Sequence, residues 1–168
     1  MKDETYNYSN ISRVIRTQAF SNPNFTPHFS VLCLISCGKD SGNFNFEKEE
    51  LLKHLSASYA ICKDFYGLET IYFELIPMKG YDSQSQLITQ CVSYIQAKRS
   101  DFEISIAEPD DNNYYYGFRI KLKALVKDSM YEIGDGGLLD WTQQLLSNKK
   151  ERMITMGIGF QILHQLTK

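Results

Sequence analysis

The segment 47–67 constrains the fold more than any other part of the sequence. Its apolar residues recur at intervals of three and four, which places them on one face of an amphipathic helix. Asn45 is suited to cap the start of this helix, and Gly67 is suited to the position just after its end. A helix with one apolar face needs a sheet or other helices to cover it. The apolar positions are Leu51, Leu52, Leu55, Tyr59, Cys62 and either Phe65 or Tyr66.

Short segments rich in β-forming residues predict the sheet that covers this helix. Residues 28–36 form a continuous apolar run typical of a buried central strand, and residues 69–76 alternate between apolar and polar side chains. We expect 102–107 and 114–126 to form a hairpin, and 134–137 to form a glycine-rich loop that is either a plain turn or an anion site. Further strands are predicted at 11–18, 130–133 and 153–159, and helices at 82–99, 138–146 and 160–166. This order predicts one α+β domain, residues 1–168, with a mostly antiparallel sheet flanked by helices.

Composition and charge exclude several classes of protein. The formal net charge is −2, without a cluster of Lys and Arg, which argues against binding to nucleic acid through phosphate contacts. No apolar run approaches the roughly 20 residues that span a bilayer, and the first ten residues lack the pattern of a secretory signal. We therefore expect a cytoplasmic protein without membrane contact. Four cysteines without Cys-x-x-Cys spacing and three histidines predict no metal site, and we expect Cys33 and Cys37 to be reduced and structural rather than redox-active.

Several segments, in order, resemble the catalytic core of the class II histidyl-tRNA synthetases and their non-catalytic relative, the regulatory subunit of ATP phosphoribosyltransferase. RVIR at 13–16, a loop and FSVL at 29–32 are similar to motif 2 of the family. NYYYG at 113–117 and GGLLD at 136–140 are similar to its Asp-Tyr-Tyr-Thr-Gly strand and Gly-Gly-Arg-Tyr-Asp loop. The segment 155–166 is similar to motif 3. The resemblance covers nearly the whole chain and implies the same fold.

The resemblance also implies a nucleotide site from which several donors are missing. Arg16 occupies the position of the arginine that contacts the α-phosphate of ATP, and Phe29 that of the ring stacked on adenine. Gln18 stands in place of a glutamate, His164 in place of the motif 3 arginine, and Leu138 in place of the arginine of the glycine-rich loop. A neutral imidazole lacks the permanent charge and the bidentate geometry of a guanidinium. We therefore expect no catalytic residue, although ATP binding through Arg16, Gln18, Phe29 and His164 stays open.

A ligand pocket and a regulatory role follow from the same resemblance. Tyr114 and Tyr115, with Gly136 and Gly137, are the candidate pocket residues, although the tyrosines can equally form a strand of mixed core and surface positions. The long helix and strand of motif 1, which form the dimer interface of the family, have no match, so we expect a truncated core that self-associates or exposes an apolar sheet edge to a partner protein. The resemblance implies a degenerate domain that binds a small ligand or a partner protein and acts as a regulatory subunit in histidine biosynthesis.

A competing motif predicts a different chemistry. Residues 37–41, Cys-Gly-Lys-Asp-Ser, resemble the pyrophosphate loop of ATP-adenylating enzymes, which follows a buried parallel strand and leads at once into a helix. The alternative function is therefore an ATP-dependent adenylating enzyme that uses either this loop or a residual class II site. His54 is expected on the polar, solvated side of its helix, and His28 in a loop without an acidic partner.

Overall fold

A seven-stranded sheet forms the centre of the structure, a computed structural model in which residues 4–17, 27–111 and 113–168 are described. The strand order across the sheet is β1-β2-β7-β6-β5-β3-β4. All neighbouring strands are antiparallel except β3 and β4. The strands are β1 (Tyr6–Ile15), β2 (His28–Lys39), β3 (Thr70–Pro77), β4 (Glu103–Ile106), β5 (Phe118–Val126), β6 (Ser129–Leu139) and β7 (Glu151–Gly159).

Within the described ranges, four α-helices accompany the sheet: α1 (Asn45–Ala60), α2 (Gln84–Lys98), α3 (Trp141–Leu146) and α4 (Phe160–Leu166). α1 continues as a π-helical turn over Ile61–Phe65, and Gly67 follows with φ +69°, as predicted for a residue beyond a helix end. Phe44, with φ +54°, is the N-cap of α1, and Asn45 is its first helical residue. The predicted mostly antiparallel sheet with flanking helices is confirmed. None of the described helices combines the length and the apolar character needed to cross a membrane.

The helices α1, α2 and α4 cover one face of the sheet and enclose the core there. Alternate residues of β3, β5 and β7 point toward this helix-covered face, as the alternation in residues 69–76 predicted. The largest fully buried side chains include Leu51 and Leu55 of α1, Leu87 and Ile95 of α2, Phe73 and Leu75 of β3, Phe118, Ile120 and Leu122 of β5, and Ile154 of β7.

The other face of the sheet is half-buried to exposed, and we call it the open face. It is defined by Cys33 of β2, Gly157 of β7, Asp135 and Gly137 of β6, and Arg119 of β5. Because β2 has this open side, it is half-buried along most of its length rather than fully buried as predicted. β2 is also only one strand away from the edge of the sheet.

Two sequence-based predictions of local structure are wrong. β4 does not form a hairpin with β5: it pairs in parallel with β3 after the α2 crossover, and β5 pairs with the other side of β3. Residues 134–137 are not a loop but lie inside β6, where they pair with both β5 and β7. A Cβ atom at Gly136 would lie 2.4 Å from the carbonyl oxygen of Thr155, so a close approach of two strands, rather than a turn, requires that glycine.

Candidate functional site

A buried guanidinium marks the centre of the open face. Arg119 donates two hydrogen bonds to the carboxylate of Asp135, from Nε at 2.8 Å and from Nη2 at 3.0 Å. Its Nη1 donates to Asp110 at 2.6 Å. The Arg119 side chain is only 14% exposed, and the hydrogen bonds that its guanidinium donates to Asp135 raise its pKa. A bidentate pair of this kind fixes both side chains in position.

Tyr115 covers the next part of the face. Gly137 has φ +150°, and a Cβ atom there would lie 2.7 Å from Cδ1 of Tyr115 and 2.4 Å from the carbonyl oxygen of Phe118. The absence of a side chain at Gly137 therefore allows the ring to lie directly on the strand. Burial raises the pKa of the Tyr115 hydroxyl, and the charge of Asp135 raises it further. The hydroxyl thus stays protonated at neutral pH.

Two exposed aromatic rings border this centre. Tyr114 makes edge-to-face contacts with Tyr115, at 4.9 Å between ring centroids, and with Trp141 of α3, at 5.4 Å. Tyr114 and Trp141 are about half exposed. Burial raises the pKa of the Tyr114 hydroxyl, and Cys33 and Asp135 raise it further. The rings thus form an aromatic border beside an ion-paired centre.

The cations that follow Arg119 on β5 are also paired with carboxylates. Lys123 Nζ donates to both carboxylate oxygens of Glu74 on β3, at 2.9 and 2.8 Å. Lys121 Nζ lies 3.3 Å from a carboxylate oxygen of Glu132 on β6. Each of the three cationic side chains that β5 presents to the open face therefore has an acidic partner within the protein.

The predicted nucleotide residues Arg16 and Phe29 lie together at one end of β1 and β2. Cζ of Arg16 is 5.3 Å from the centroid of the Phe29 ring, a cation–π contact. Phe29 precedes Cys33 by four residues on β2, and Cys33 is in the same row as Gly157 and Asp135. Four residues of strand span about 13 Å. Arg16 and Phe29 are therefore separated along the sheet from the centre at Arg119.

Comparison with known proteins places the fold. No family model and no curated protein matches the chain. Among solved structures, apo histidyl-tRNA synthetase of S. aureus superposes with a TM-score of 0.69 at 12% identity, over 95% of this chain and 43% of that one. The RNA binding domain of threonyl-tRNA synthetase from Cryptosporidium parvum Iowa II gives 0.69 at 12% identity, over 96% and 43%. The fold is aminoacyl-tRNA synthetase-like.

A third structure agrees with this placement. The putative threonyl-tRNA synthetase ThrRS-1 of Aeropyrum pernix superposes with a TM-score of 0.58 at 9% identity, over 82% of this chain and 35% of that one. The chain spans less than half of the length of each of these three synthetase structures. At these identities the likeness shows the fold alone.

The synthetase-like fold brings together only some of the residues predicted from the sequence. Tyr114, Tyr115 and Gly137 meet on the open face, whereas a Cβ atom at Gly136 would meet Sδ of Met156 on the helix-covered face. His164 is exposed on α4, whose buried residues belong to the helix-covered core. Gln18 lies outside the described residues.

The pyrophosphate loop predicted at 37–41 does not have the required geometry. Cys37, Gly38 and Lys39 belong to β2, which pairs antiparallel with β7. The carboxylate of Asp40 accepts a hydrogen bond from Nη2 of Arg152 at 2.8 Å, and α1 begins only at Asn45. The loop lacks the parallel strand and the adjacent helix start that such a site needs. The structure therefore removes this part of the alternative function.

Arg119 was not predicted from the sequence to be the centre of the site. The sequence does contain a pattern that indicates this row of cations, because Arg119, Lys121 and Lys123 alternate with buried apolar residues along β5. Among the described residues, no group of His, Cys, Asp and Glu side chains is arranged to hold a metal ion.

The prediction for His54 is wrong, because this side chain is 4% exposed and lies against the sheet. Its Nε2 is 2.9 Å from Oγ of Ser36 on β2, and that hydroxyl donates to Oδ1 of Asn7 on β1 at 2.6 Å. Burial, together with the charge of Lys53, lowers the pKa of His54 from 6.5 to about 4. His54 is a neutral structural residue on the helix-covered face.

Proposed function

We propose that this chain is a non-catalytic regulatory domain that binds a small ligand on the open face of an aminoacyl-tRNA synthetase-like sheet. The observation that supports this proposal is the pairing of Arg119, Lys121 and Lys123 with carboxylates of the protein itself. The domain resembles the regulatory subunit of ATP phosphoribosyltransferase, in which a synthetase-like fold controls another protein.

The ion pairs act against adenylation for an electrostatic reason. Transfer of an acyl group to the α-phosphate of ATP concentrates negative charge, which an enzyme stabilises with preorganised cations. Arg119 already donates to Asp110 and Asp135, so a phosphate group would have to displace a carboxylate at 2.6 to 3.0 Å. Removing a preorganised donor typically costs a catalyst about 3 kcal/mol. Occupation of the donors by internal acids has a comparable effect.

The charge of the same centre favours a ligand that carries an amine. Arg119, Asp110 and Asp135 together have one more negative than positive formal charge. Tyr114 and Trp141 border them with exposed aromatic faces, which attract cations. A small zwitterion with a protonated amine, free histidine being the first to test, therefore suits this face better than a nucleotide.

A thermal-shift titration tests this ligand class. Histidine at about 100 times its dissociation constant should stabilise the chain by about 2.7 kcal/mol and raise its melting temperature. Asp135→Asn should abolish the shift, because it removes the carboxylate that faces the amine. Asp128→Asn is the matched control, since Asp128 is in the β5–β6 turn with φ +62°, a conformation that asparagine adopts readily, and it should leave the shift intact. Equal shifts in both variants would contradict the site.

A second candidate function, a residual ATP-binding site, is favoured by the contact between Arg16 and Phe29. A guanidinium over a half-buried ring at the end of the sheet matches the motif 2 pair that contacts the phosphate and the adenine in the resembling family. On this hypothesis ATP raises the melting temperature and Arg16→Ala removes that increase, whereas Asp135→Asn leaves it unchanged. The two functions are thus distinguished by two variants: Asp135→Asn should lose the response to histidine, and Arg16→Ala should lose the response to ATP.

A further inference from the structure

The outer edge of β1 is a long strand edge without a partner among the described residues. β1 has ten residues, and β2 pairs with only one side of it. Large apolar side chains are exposed along it: Tyr6 is 53% exposed, Tyr8 and Ile11 are each 60% exposed, and Ile15 is 65% exposed. Exposed edges of this length are normally protected by charged side chains, Pro or a bulge; β1 has one charged residue, Arg13, and neither Pro nor a bulge.

The register with β2 shows which peptide groups point outward. The N–H group of Arg16 donates to the carbonyl oxygen of Pro27 at 2.8 Å, and this pair continues the unbroken register of β1 with β2. In an antiparallel ladder every second residue exchanges hydrogen bonds with the partner strand. The even-numbered residues of β1 therefore bond to β2, and the N–H and C=O groups of Asn7, Ser9, Ile11, Arg13 and Ile15 point away from the sheet.

We propose that this edge pairs with β1 of a second copy of the chain, in antiparallel orientation about a twofold axis at Asn10. The two sheets then join into one sheet of fourteen strands, with both open faces on the same side. A twofold axis perpendicular to the sheet keeps each side chain on its own face, so only registers that oppose two even-numbered or two odd-numbered residues are allowed.

Charge complementarity favours a second copy of the chain as the partner of this edge, and it favours this register. With Asn10 opposite Asn10, Glu4 at one end of the edge faces Arg16 of the second copy, and the symmetry repeats this pair at the other end. Glu4 already lies on the open face, because its carboxylate accepts the hydroxyl hydrogen of Tyr6 at 2.8 Å. A shift by one allowed register in either direction separates Glu4 from Arg16. Acid and base at opposite ends of one strand are the arrangement that antiparallel self-pairing needs.

The neutral side chains of the edge also match in this register. On the open face Tyr6 faces Val14, and Tyr8 faces Ser12. An aromatic residue opposite a β-branched residue is a favourable cross-strand pair. On the other face Asn7 faces Arg13, and Ser9 faces Ile11, so the two Arg13 side chains stay apart. The opposite sheet edge, β4, has only four residues and includes the charged Glu103, which leaves β1 as the long edge.

Sedimentation of the full chain tests the proposal. Between about 1 and 100 μM, the range expected for an interface of this modest size, the mass should rise from 19.4 kDa toward twice that value. Ser9→Pro removes an outward N–H group without touching the β2 ladder and should weaken dimerisation at least about tenfold. Ser9→Thr keeps that N–H group and should dimerise like the unchanged chain.

The register has its own test in a charge swap. Arg16→Glu places two acids opposite each other twice and should weaken the dimer about tenfold, whereas the double variant Glu4→Arg with Arg16→Glu should restore it to within about threefold. Amide hydrogen exchange supplies the check on folding, since Tyr8 and Asn10 amides should stay protected in every variant. The proposal would be overturned if the chain stayed monomeric over the whole concentration range. It would also be overturned if Ser9→Pro left the dimer unaffected, or if the charge swap did not restore dimerisation.

Discussion

At the scale of single residues, the buried His54 links folding to pH. The Ser36 hydroxyl has one hydrogen, which it donates to Asn7, so it accepts the Nε2–H of His54. Nδ1 then carries a lone pair that has no partner in the part of the chain the structure describes. Protonation would place a charge on this buried ring, and burial, together with the charge of Lys53, lowers its pKa to about 4.

This shift predicts a loss of stability in mild acid. The pKa of His54 is lower in the folded chain than in the unfolded chain, so the unfolded chain binds the proton first. Stability is complete above about pH 6.5 and falls as the pH drops from 6.5 toward 4. At pH 5 the loss amounts to about 2 kcal/mol relative to pH 7, measured from urea unfolding at the two pH values.

The variant His54→Gln isolates this contribution. Glutamine is neutral at both pH values and still has an amide donor, so the difference between pH 7 and pH 5 should shrink by about 2 kcal/mol. His164→Gln changes an exposed histidine and serves as the control, with the difference retained. A pH dependence that is identical in the two variants would show that His54 does not titrate as described.

Sequence could not have revealed the environment of His54. In the sequence His54 follows Lys53 and the acidic first turn of α1, and these charged neighbours indicate a solvated face. The structure covers that face with Ser36, which comes from a strand eighteen residues earlier, and with Asn7 from β1. Long-range packing of this kind leaves no local periodic signal.

At the scale of elements, a single arginine links the start of α1 to the sheet. Arg152 of β7 donates from Nε to Glu47 of α1 at 2.8 Å and from Nη2 to Asp40 at 2.8 Å. The hydroxyl of Tyr81 donates to the same Glu47 oxygen at 2.6 Å. The Glu47 side chain is 1% exposed, so this ion pair lies in the interior and depends on both partners.

Loss of this link should be costly. Arg152→Met leaves the Glu47 carboxylate buried without its cation, and the free energy of unfolding should fall by about 3 to 5 kcal/mol. Lys123→Met is the matched control, because its partner Glu74 is partly exposed, and it should cost about 1 kcal/mol or less. Both values come from urea unfolding at neutral pH. The double variant Glu47→Gln with Arg152→Met should recover much of the loss, and equal costs for the two single variants would contradict the role of the buried pair.

Elements with strong local patterns were predicted well, and their pairing was not. The apolar face of α1 and the alternation of β3 follow from residues a few positions apart. The partner of β4 depends on α2, which carries the chain across so that β4 lies parallel to β3. The glycines 134, 136 and 137 have the composition of a turn, yet they let β6 approach its neighbours closely. Sequence shows the glycine but not whether a turn or a close contact requires it.

At the scale of the whole molecule, the two faces of the sheet carry different groups. The helix-covered face holds the core, His54 and the Arg152 link, and the open face holds Arg119, the tyrosines and the paired lysines. The ordered motifs predicted this synthetase-like fold. They did not predict the chemistry of the open face, because the carboxylates that neutralise β5 come from β3, β6 and the segment before Tyr114. These carboxylates meet the cations of β5 only in the folded chain.

The central claim is that this open face cannot support adenylation, because its cations on β5 are already paired. The most direct test is histidine-dependent exchange of pyrophosphate into ATP, measured with the purified chain and Mg²⁺. The proposed function predicts exchange no faster than in the absence of histidine, and no change on Arg16→Ala. Exchange that requires histidine and disappears in the Arg16→Ala variant would contradict it.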